Sequence, residues 1–437
     1  MTTISKKIFG VTAIMAMAFH SCTINEDTIG DVTIIQGSGN NGDNCVILEG
    51  QITSDLNLTA DNCYQLRGGV SVVDGVTLTI EAGTTIQAGS DGGVFSYLAI
   101  EQGAKIMAEG TQSQPIVFTS DKSTPNPGDW GGLLIAGKAP INRAAVSATT
   151  EVANLTYGGN DSNDDSGILR YVRLEYTGGK INDDAEYNGL SLYGVGNGTT
   201  IEYVEAYLGN DDGIEFFGGT VDLKYAVVIG AGDDSIDWTD GWVGRGQFWI
   251  VQQTALAGDK GIEADNLNST PDAIPFSYPT ISNITLIGAE DGDGTNKGIE
   301  FRAGTKVAAY NMIIKGFPGI GIEVDDDQTL INFNAGEVEV RNSIIDNVNS
   351  FDLDHDGNAA FDLSDFATYS NYTLDGSGAP FNSDGTAVPD DFQISGFRGS
   401  YTANAFDPTT LDAWFSSATF VGALQEGDTW TSGWVRL

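Results

Sequence analysis

Carboxylates recur in this chain directly after an aliphatic residue, inside short units that begin with Gly or Ser. The steps between the central residues of successive units are 24, 22, 26, 37 and 23. Carboxylates stacked in this way repel one another unless a basic side chain or a metal cation compensates, and oxygen ligands of this kind suit Ca²⁺. The units are Gly189-Leu190-Ser191, Gly213-Ile214-Glu215, Ser235-Ile236-Asp237, Gly261-Ile262-Glu263, Gly298-Ile299-Glu300 and Gly321-Ile322-Glu323.

A drifting period in the low twenties, carried by short β-type segments, predicts a solenoid of β coils. Because side chains alternate along a strand, the aliphatic residue of each unit points inward and the next residue points outward. Neighbouring coils then hold the carboxylates about 4.8 Å apart, and the 37-residue step leaves room for a loop that makes this face a cleft. We call Glu215, Asp237, Glu263, Glu300 and Glu323 the acidic column, and Asp211, Asp212, Asp233 and Asp234 the edge aspartates.

Other segments of the chain have the same all-β character. Residues 76–80 and 115–119 are short alternating or apolar runs, and no convincing amphipathic helix separates such runs. A sandwich or an up-and-down barrel would also contain short strands, but neither would place one tripeptide at the same point of each repeat. The pattern therefore favours one solenoid over residues 45–437.

The charge balance limits the partners. The 437 residues include 60 acidic and 20 basic ones, which gives a net charge of −40. Such a surface repels nucleic acid and anionic membranes, so we expect no nucleic-acid partner. It favours metal cations or basic partners. The alternative is that the acidic residues only form a solvated surface without a specific partner.

The N-terminus reads as an export signal. Lys6 and Lys7 precede a short apolar run, and Ser21 stands directly before Cys22. We expect a signal peptide over residues 1–21, lipidation of Cys22, and a flexible tether over residues 22–44, where Gly, Ser, Asn and Asp are frequent. Secretion with an unmodified Cys22 is the alternative. Lipidation would attach the protein to the outer membrane or cell surface.

Two further cysteines, Cys45 and Cys63, follow the tether. An even pair in an exported protein suggests a disulfide, which would clamp the first coil. Two buried free thiols are the alternative.

Several blocks of the sequence after Cys45 are distinctive. They are Gly110-Thr111, Pro115-Ile116-Val117-Phe118-Thr119-Ser120, Gly128-Asp129-Trp130-Gly131-Gly132-Leu133, Gly137-Lys138-Ala139-Pro140-Ile141-Asn142, the run at 209–215, and Trp430 with Gly433-Trp434. We expect the last of these to form a C-terminal cap. Over most of the chain after Cys45, these blocks resemble a family of Bacteroidetes surface lipoproteins. The resemblance implies a right-handed, single-stranded parallel β-helix solenoid of the pectin-lyase-like kind, without a settled activity.

Catalysis has to be weighed, because pectin-lyase-like folds include polysaccharide lyases and hydrolases. The run Gly232-Asp233-Asp234-Ser235-Ile236 is similar to the paired-Asp motif of polygalacturonases, but the Gly-His-Gly and Arg-Ile-Lys segments of those enzymes are missing. A calcium-dependent lyase needs carboxylates for Ca²⁺ and a base that removes a proton. The nearby bases are Arg245, Lys260, Lys297 and Arg302, and Trp238, Trp242 and Trp249 could stack on sugar rings or belong to the core.

A second acidic site lies in an acidic insertion near residues 350–395. Asp352, Asp354 and Asp356, followed by Gly357, match the first half of a calcium loop, whereas Leu363 stands where a bidentate acid belongs. Asp362 and Asp365 flank Leu363 and could replace that acid. Calcium binding and a solvated acidic loop both remain open for this segment.

These observations predict a surface or outer-membrane lipoprotein with one β-helix that binds or scaffolds rather than catalyses. The candidate ligands are a polysaccharide, a divalent cation such as calcium, or a neighbouring outer-membrane protein. The second candidate is a calcium-dependent polysaccharide lyase.

Overall fold

The computed structural model describes residues 26–29, 32–36, 45–182, 185–254, 258–289, 295–346, 349–354, 373–374, 405–425 and 427–436. The predicted signal peptide, Cys22, and the calcium-loop residues Asp356, Asp362 and Asp365 lie outside these residues. So does most of the predicted acidic insertion.

Strands of three to ten residues dominate the first half of the chain, with a few two-residue pairs in loops. They are β1 (Glu26–Ile29), β2 (Val32–Gln36), β3 (Val46–Ile52), β4 (Leu56–Leu58), β5 (Cys63–Val72), β6 (Thr77–Ile80), β7 (Thr85–Ala88), β8 (Ser90–Asp91), β9 (Val94–Phe95), β10 (Tyr97–Ile100), β11 (Lys105–Glu109), β12 (Ile116–Ser120), β13 (Leu133–Ala136), β14 (Ala148–Thr149), β15 (Thr156–Tyr157), β16 (Gly167–Glu175), β17 (Lys180–Asn182) and β18 (Ala185–Glu186).

In the second half, short and long strands alternate. They are β19 (Leu190–Tyr193), β20 (Thr200–Tyr207), β21 (Ile214–Phe217), β22 (Asp222–Ile229), β23 (Ile236–Thr239), β24 (Arg245–Gln252), β25 (Lys260–Ala264), β26 (Thr280–Ile287), β27 (Lys297–Phe301), β28 (Val307–Lys315), β29 (Ile320–Asp325), the helix α1 (Asp327–Asn334), β30 (Val338–Arg341), β31 (Ile344–Asp346), β32 (Asn349–Asp354), β33 (Thr373–Leu374) and a short 3₁₀ turn (Pro408–Thr410). None of the helices in the described ranges is long and apolar enough to cross a membrane.

The strands pair in parallel with their counterparts one coil away, which confirms the predicted parallel β-helix. The short strands β19, β21, β23, β25, β27 and β29 form one sheet. The long strands β16, β20, β22, β24, β26 and β28 form a second, bent sheet that completes each coil. Each coil therefore contributes one short and one long strand to the solenoid.

The core is a stack of identical positions. Ile214 pairs with Ile236, Ile236 with Ile262, Ile262 with Ile299 and Ile299 with Ile322. All five side chains are fully buried, as the alternation of strand side chains requires. The register predicted from the repeats is therefore confirmed.

Tryptophans fill the interior beside this stack. Trp238, Trp242 and Trp249 are fully buried, and each indole N–H donates a hydrogen bond, to Thr305 Oγ1, Val221 O and Leu223 O respectively. These rings are part of the core, so the idea that they stack on sugar rings is wrong.

Each long strand bends at one residue with positive φ. Tyr171, Tyr203, Tyr225 and Phe248 occupy this bend on successive coils, with φ between 52° and 63°. Such a conformation costs an L-residue about 1–2 kcal/mol. The rings stack along the bend, with centroids 4.2 Å apart for the first pair and 4.3 Å for the second, and this stacking offsets part of the cost.

The C-terminal segment, residues 405–425 and 427–436, packs along this bend and runs back toward the N-terminal coils. Phe406 stacks on Tyr310 at 4.6 Å, and Trp434 meets Tyr171 edge-on at 5.6 Å. Trp434 is fully buried there. The segment therefore covers the flank of the β-helix, and the expectation of a C-terminal cap is corrected.

The N-terminal end differs from expectation as well. Within the predicted tether, β1 and β2 form an antiparallel hairpin, and β2 pairs with β3. The β-branched residues of Val32-Thr33-Ile34-Ile35 favour a strand, so this part of residues 22–44 is not a free linker. Cys45 and Cys63 are joined by a disulfide beside the first coil.

Candidate functional site

The acidic column lies on the outer face of the short-strand sheet. Glu215 pairs with Asp237, Asp237 with Glu263, Glu263 with Glu300 and Glu300 with Glu323. The sequence reasoning therefore placed these residues on one face correctly. The backbone of Asp352 in β32 continues the same register beyond Glu323.

Burial of the column was not expected. Glu215 is 8% exposed, Asp237 9%, Glu300 5% and Glu323 4%, while Glu263 is half-buried. Charged groups with so little access to water need a compensating partner, because burial strongly disfavours the ionised form. The basic side chains and hydrogen-bond donors around each carboxylate therefore determine whether that part of the column can bind a cation.

One cover is the long segment between β13 and β16. It packs an apolar cluster, including Ile141, Val152 and Leu155, onto Tyr193 and Phe217, which face outward beside the column. Two buried contacts hold the segment in place. Asp240 accepts hydrogen bonds from Arg143 Nε at 2.8 Å and from Tyr157 Oη at 2.7 Å. These contacts fix residues 137–166 beside the column, and we call this segment the wall. No sequence pattern had indicated it.

The loop at 265–279 lies in the long step before Ile299, where we expected a covering loop. Asn266 organises it, because its amide donates to Pro271 O and Ala273 O at 3.0 Å each. Asn142 of the wall donates to Asn266 Oδ1 at 2.8 Å. The loop and the wall are thus joined beside the column.

Basic side chains neutralise one half of the column. Lys260 Nζ lies 2.8 Å from Glu263 and 3.6 Å from Glu300, and Lys297 Nζ lies 2.6 Å from Glu300. Lys297 also pairs with Glu323. Arg302 lies 3.0 Å from Glu263. This half is a closed network of ion pairs.

The other half of the column consists of Glu215 and Asp237, and the edge aspartate Asp212 lies close to both. We call Asp212, Glu215 and Asp237 the lower carboxylates. Each offers one oxygen, and the three oxygens lie within 4.8 Å of one another. Their hydrogen-bond partners are few. Asn188 donates its amide to Glu215, and the Asp234 backbone N–H donates to Asp212 at 2.9 Å.

No lysine or arginine in the described part of the chain forms an ion pair with the lower carboxylates. The Oδ1 atom of Asp237 is buried and has no hydrogen-bond partner there. Three buried acids therefore meet without an ion pair to a basic side chain, although the charge of Arg302 also acts on Asp237. Such an arrangement recruits a cation or holds protons.

The remaining edge aspartates surround this cluster. Asp211 is half-buried, Asp233 is exposed and Asp234 is buried. Asp211 and Asp233 can each join Asp212 in a group of close carboxylates, and Asp233 also groups with Asp234 and Asp259. Asp233 is consequently the most exposed of the carboxylates around the cluster.

Electrostatics separates the two halves. Burial, then the charges of Asp234 and of its other neighbours, holds the pKa of Asp212 well above its usual range. Burial and then Asp212 do the same for the pKa of Glu215, and burial and then Glu215 for the pKa of Asp237. Burial, then Glu186 and Asp233, raises the pKa of Asp211 to about 8.

In the neutralised half the direction can reverse. Burial alone would raise the pKa of Glu300, but hydrogen bonds with Glu323 and Lys297 and the charge of Lys260 hold that pKa at about 2. Burial would lower the pKa of Lys260, yet Asp234 and Glu263 raise it above its ordinary value. The pKa values of Lys297 and Arg302 are also raised by the carboxylates around them, against the effect of burial.

One predicted member of the site lies elsewhere. Arg245 pairs with Asp222 at 2.6 Å and with Asp412 of the C-terminal segment at 2.8 Å. It therefore belongs to the flank of the β-helix and is not a base beside the column. Sequence reasoning also missed Asn188, although it stands two residues before Leu190, where the next two coils have Asp212 and Asp234.

The stacked short and long strands and the acid-lined outer face define a parallel β-helix protein with a largely buried acidic column. The chain belongs to the pectate-lyase like beta helix domain family, whose model matches residues 50–435. No curated protein and no solved structure matches the chain. Membership in this family is compatible with a role that involves polysaccharide.

Proposed function

We propose that this protein is a surface lipoprotein whose β-helix binds an acidic polysaccharide through a divalent cation. The cation is held by the lower carboxylates, Asp212, Glu215 and Asp237. The observation that carries the proposal is their meeting in a buried cluster without a basic partner, with Oδ1 of Asp237 left unpaired.

Calcium fits this arrangement better than magnesium. Oxygens that share one Ca²⁺ at about 2.3–2.6 Å lie at most about 5 Å from one another, so three carboxylate oxygens within 4.8 Å of one another can share one such ion. Mg²⁺ demands near-ideal octahedral geometry and gives up its water reluctantly. A Ca²⁺ ion would leave coordination positions toward the exposed Asp233 side, where the carboxylate of a uronic acid could enter.

Binding has better support than cleavage. A lyase base has to accept a proton at the working pH. Lys260, Lys297 and Arg302 are each held by carboxylates that raise their pKa, so these side chains stay charged and cannot accept one. The calcium-dependent lyase remains the second candidate because of the family membership.

Calcium binding is measured by titration calorimetry on the metal-free protein. Wild type should bind Ca²⁺, and Asp212→Asn with Asp237→Asn should lose that site. Because the segment from Asp352 is a competing source, the matched control is Asp354→Asn with Asp356→Asn, which should retain it. If only the control variant loses calcium binding, the lower carboxylates are not the site.

Polysaccharide binding is tested by affinity electrophoresis through gels that contain a uronic-acid polysaccharide or a neutral one. We expect retardation in the uronic-acid gel with Ca²⁺, and its loss with a chelator or in Asp212→Asn with Asp237→Asn. Ultraviolet absorbance of an unsaturated product, followed in the same mixtures, would reveal a lyase. Equal retardation in both gels would contradict recognition through the cation.

The location is proposed from the N-terminal sequence. A positive region, an apolar run and the Ser21–Cys22 junction support lipidation of Cys22 in the manner of the Bacteroidetes lipoproteins. Cys22→Ala should leave the protein uncleaved or release it into the soluble fraction, as cell fractionation with immunoblotting would show. A mature variant that still partitions with membranes would contradict the anchor.

A further inference from the structure

One position of the repeat changes from acidic to basic residues halfway along the acidic column. It stands two residues before the buried aliphatic residue of each short strand and next to the outward carboxylate of that strand. We call it the entry position. From β19 to β29 it is occupied by Asn188, Asp212, Asp234, Lys260, Lys297 and Ile320.

Aspartate at the entry position binds the next coil. Asp212 Oδ1 accepts from the backbone N–H of Asp234 at 2.9 Å, and Asp234 Oδ1 accepts from that of Lys260 at 2.7 Å. Each Asp therefore adds a second carboxylate beside the column. Where the entry position is acidic, the outward carboxylates Glu215 and Asp237 have no basic partner in the described ranges.

Lysine at the entry position sits where a cation would. Four carboxylates surround Lys260 Nζ, at 2.6 Å for Asp259, 2.8 Å for Glu263, and 3.6 Å for both Asp234 and Glu300. Only 10% of the Lys260 side chain is exposed. An ammonium group enclosed by four carboxylates from three successive coils has the oxygen surroundings of a bound metal ion, with one positive charge in place of two.

Lys297 repeats this arrangement one coil further on. Its backbone pairs with Lys260 in the strand register, and its ammonium group contacts Glu300 and Glu323. Two consecutive coils thus carry an internal cation of their own.

We infer that Lys260 and Lys297 are resident counterions in cation sites, and that they confine a divalent cation to the lower carboxylates. Replacing Lys260 with an uncharged residue should therefore create a divalent-cation site from Asp234, Asp259, Glu263 and Glu300. The confinement rests on the proposed function, whereas the created site does not. A uronate would therefore bind through the cation at only one place along the acidic column.

The test is Lys260→Met, with Lys260→Arg as the matched control that keeps the charge. Calcium stoichiometry is measured by equilibrium dialysis in the presence of excess Mg²⁺. Lys260→Met should bind one more Ca²⁺ per chain than wild type, and Lys260→Arg should bind the same number. Lys105→Met controls for the loss of any lysine, because the Lys105–Asp165 pair is largely exposed.

Melting gives a second readout. In Lys260→Met, Glu263 keeps Arg302 and Glu300 keeps Lys297, whereas Asp234 and Asp259 lose their ion pairs. Without Ca²⁺ this loss should lower the Tm of Lys260→Met below that of wild type. Added Ca²⁺ should raise that Tm at least twice as much as it raises the Tm of wild type. Lys297→Met repeats both measurements on Glu300 and Glu323 if Lys260→Met does not fold.

The outcomes separate the two ideas. Wild type without calcium binding, beside a Lys260→Met protein that gains one ion, would refute the proposed function and support the inference. Unchanged stoichiometry together with an unchanged calcium effect on Tm would overturn the inference. Failure of both methionine variants to fold even with Ca²⁺ would overturn it too, since the ion should take the place of the ammonium group.

Discussion

Replacing Asp237 with Asn should stabilise the metal-free protein and should reduce the stabilisation that calcium gives. The Asp237 side chain is only 9% exposed, and its Oδ1 atom has no hydrogen-bond partner among the described residues. It stacks directly between Glu215 and Glu263. An unsatisfied buried group costs about 1–3 kcal/mol, and more when it is charged. Asn keeps the shape and removes the charge.

We therefore expect the free energy of unfolding of metal-free Asp237→Asn to exceed that of wild type by about 1–3 kcal/mol. In a cooperative unit of about 150–250 residues, each kcal/mol moves Tm by about 2–4 °C. Calcium should act in the opposite direction. At a free concentration of about 100 times Kd it stabilises wild type by about 2.7 kcal/mol, and the variant should lose most of that gain.

The assay is thermal melting, with chelator and with Ca²⁺, of wild type, Asp237→Asn and a matched control. Asp240→Asn is that control, because Asp240 lies on the same coil and is also buried but is paired with Arg143 and Tyr157. Removing its charge weakens the Arg143 pair, so Asp240→Asn should lower Tm with or without Ca²⁺. The reasoning is refuted if Asp237→Asn lowers Tm in chelator, or if calcium raises the Tm of Asp237→Asn as much as that of wild type.

Three further predictions concern the pH dependence of stability, the core and the disulfide. Because burial raises the pKa values of the lower carboxylates, and that of Asp211 to about 8, the native state holds more protons than the unfolded chain. Metal-free stability should then fall as pH rises from about 4 to about 8, and Ca²⁺ should flatten that fall in denaturant titrations at a series of pH values. Ile236→Ala should cost about 2–5 kcal/mol in equilibrium unfolding, whereas Ile331→Ala, at a 58% exposed position, should cost far less; equal costs would contradict the register. Reducing the Cys45–Cys63 disulfide should lower stability by about 3 kcal/mol, and a reductant that leaves the melt of wild type unchanged would contradict this.

The repeats in the sequence were enough to predict the register of the short-strand sheet. Side chains alternate along a strand and coils stack at a fixed spacing, so a recurring Gly-Ile-Glu unit fixes which residues meet. Ile214 and Ile236 consequently lie in one inward stack, and Glu215 and Asp237 in one outward column. These are local, periodic relations, and no knowledge of distant contacts is needed to derive them.

The sequence also contained the change at the entry position, but its meaning was not evident there. Lys260 and Lys297 were counted as bases near the column, and only the distances show that each is enclosed by carboxylates. The sequence could not show this enclosure, because a lysine side chain is long and its partners come from several coils.

Burial of the column was decided by the tertiary structure alone. The wall that holds Ile141 and the loop organised by Asn266 both depart from the repeat. Contacts between aperiodic segments that are far apart in the chain depend on loop lengths and side-chain packing, which no period encodes. The sequence therefore determined that the carboxylates share one face of a β-helix. The fold decided that this face is largely buried, and that one half of the column carries its own cations and the other half does not.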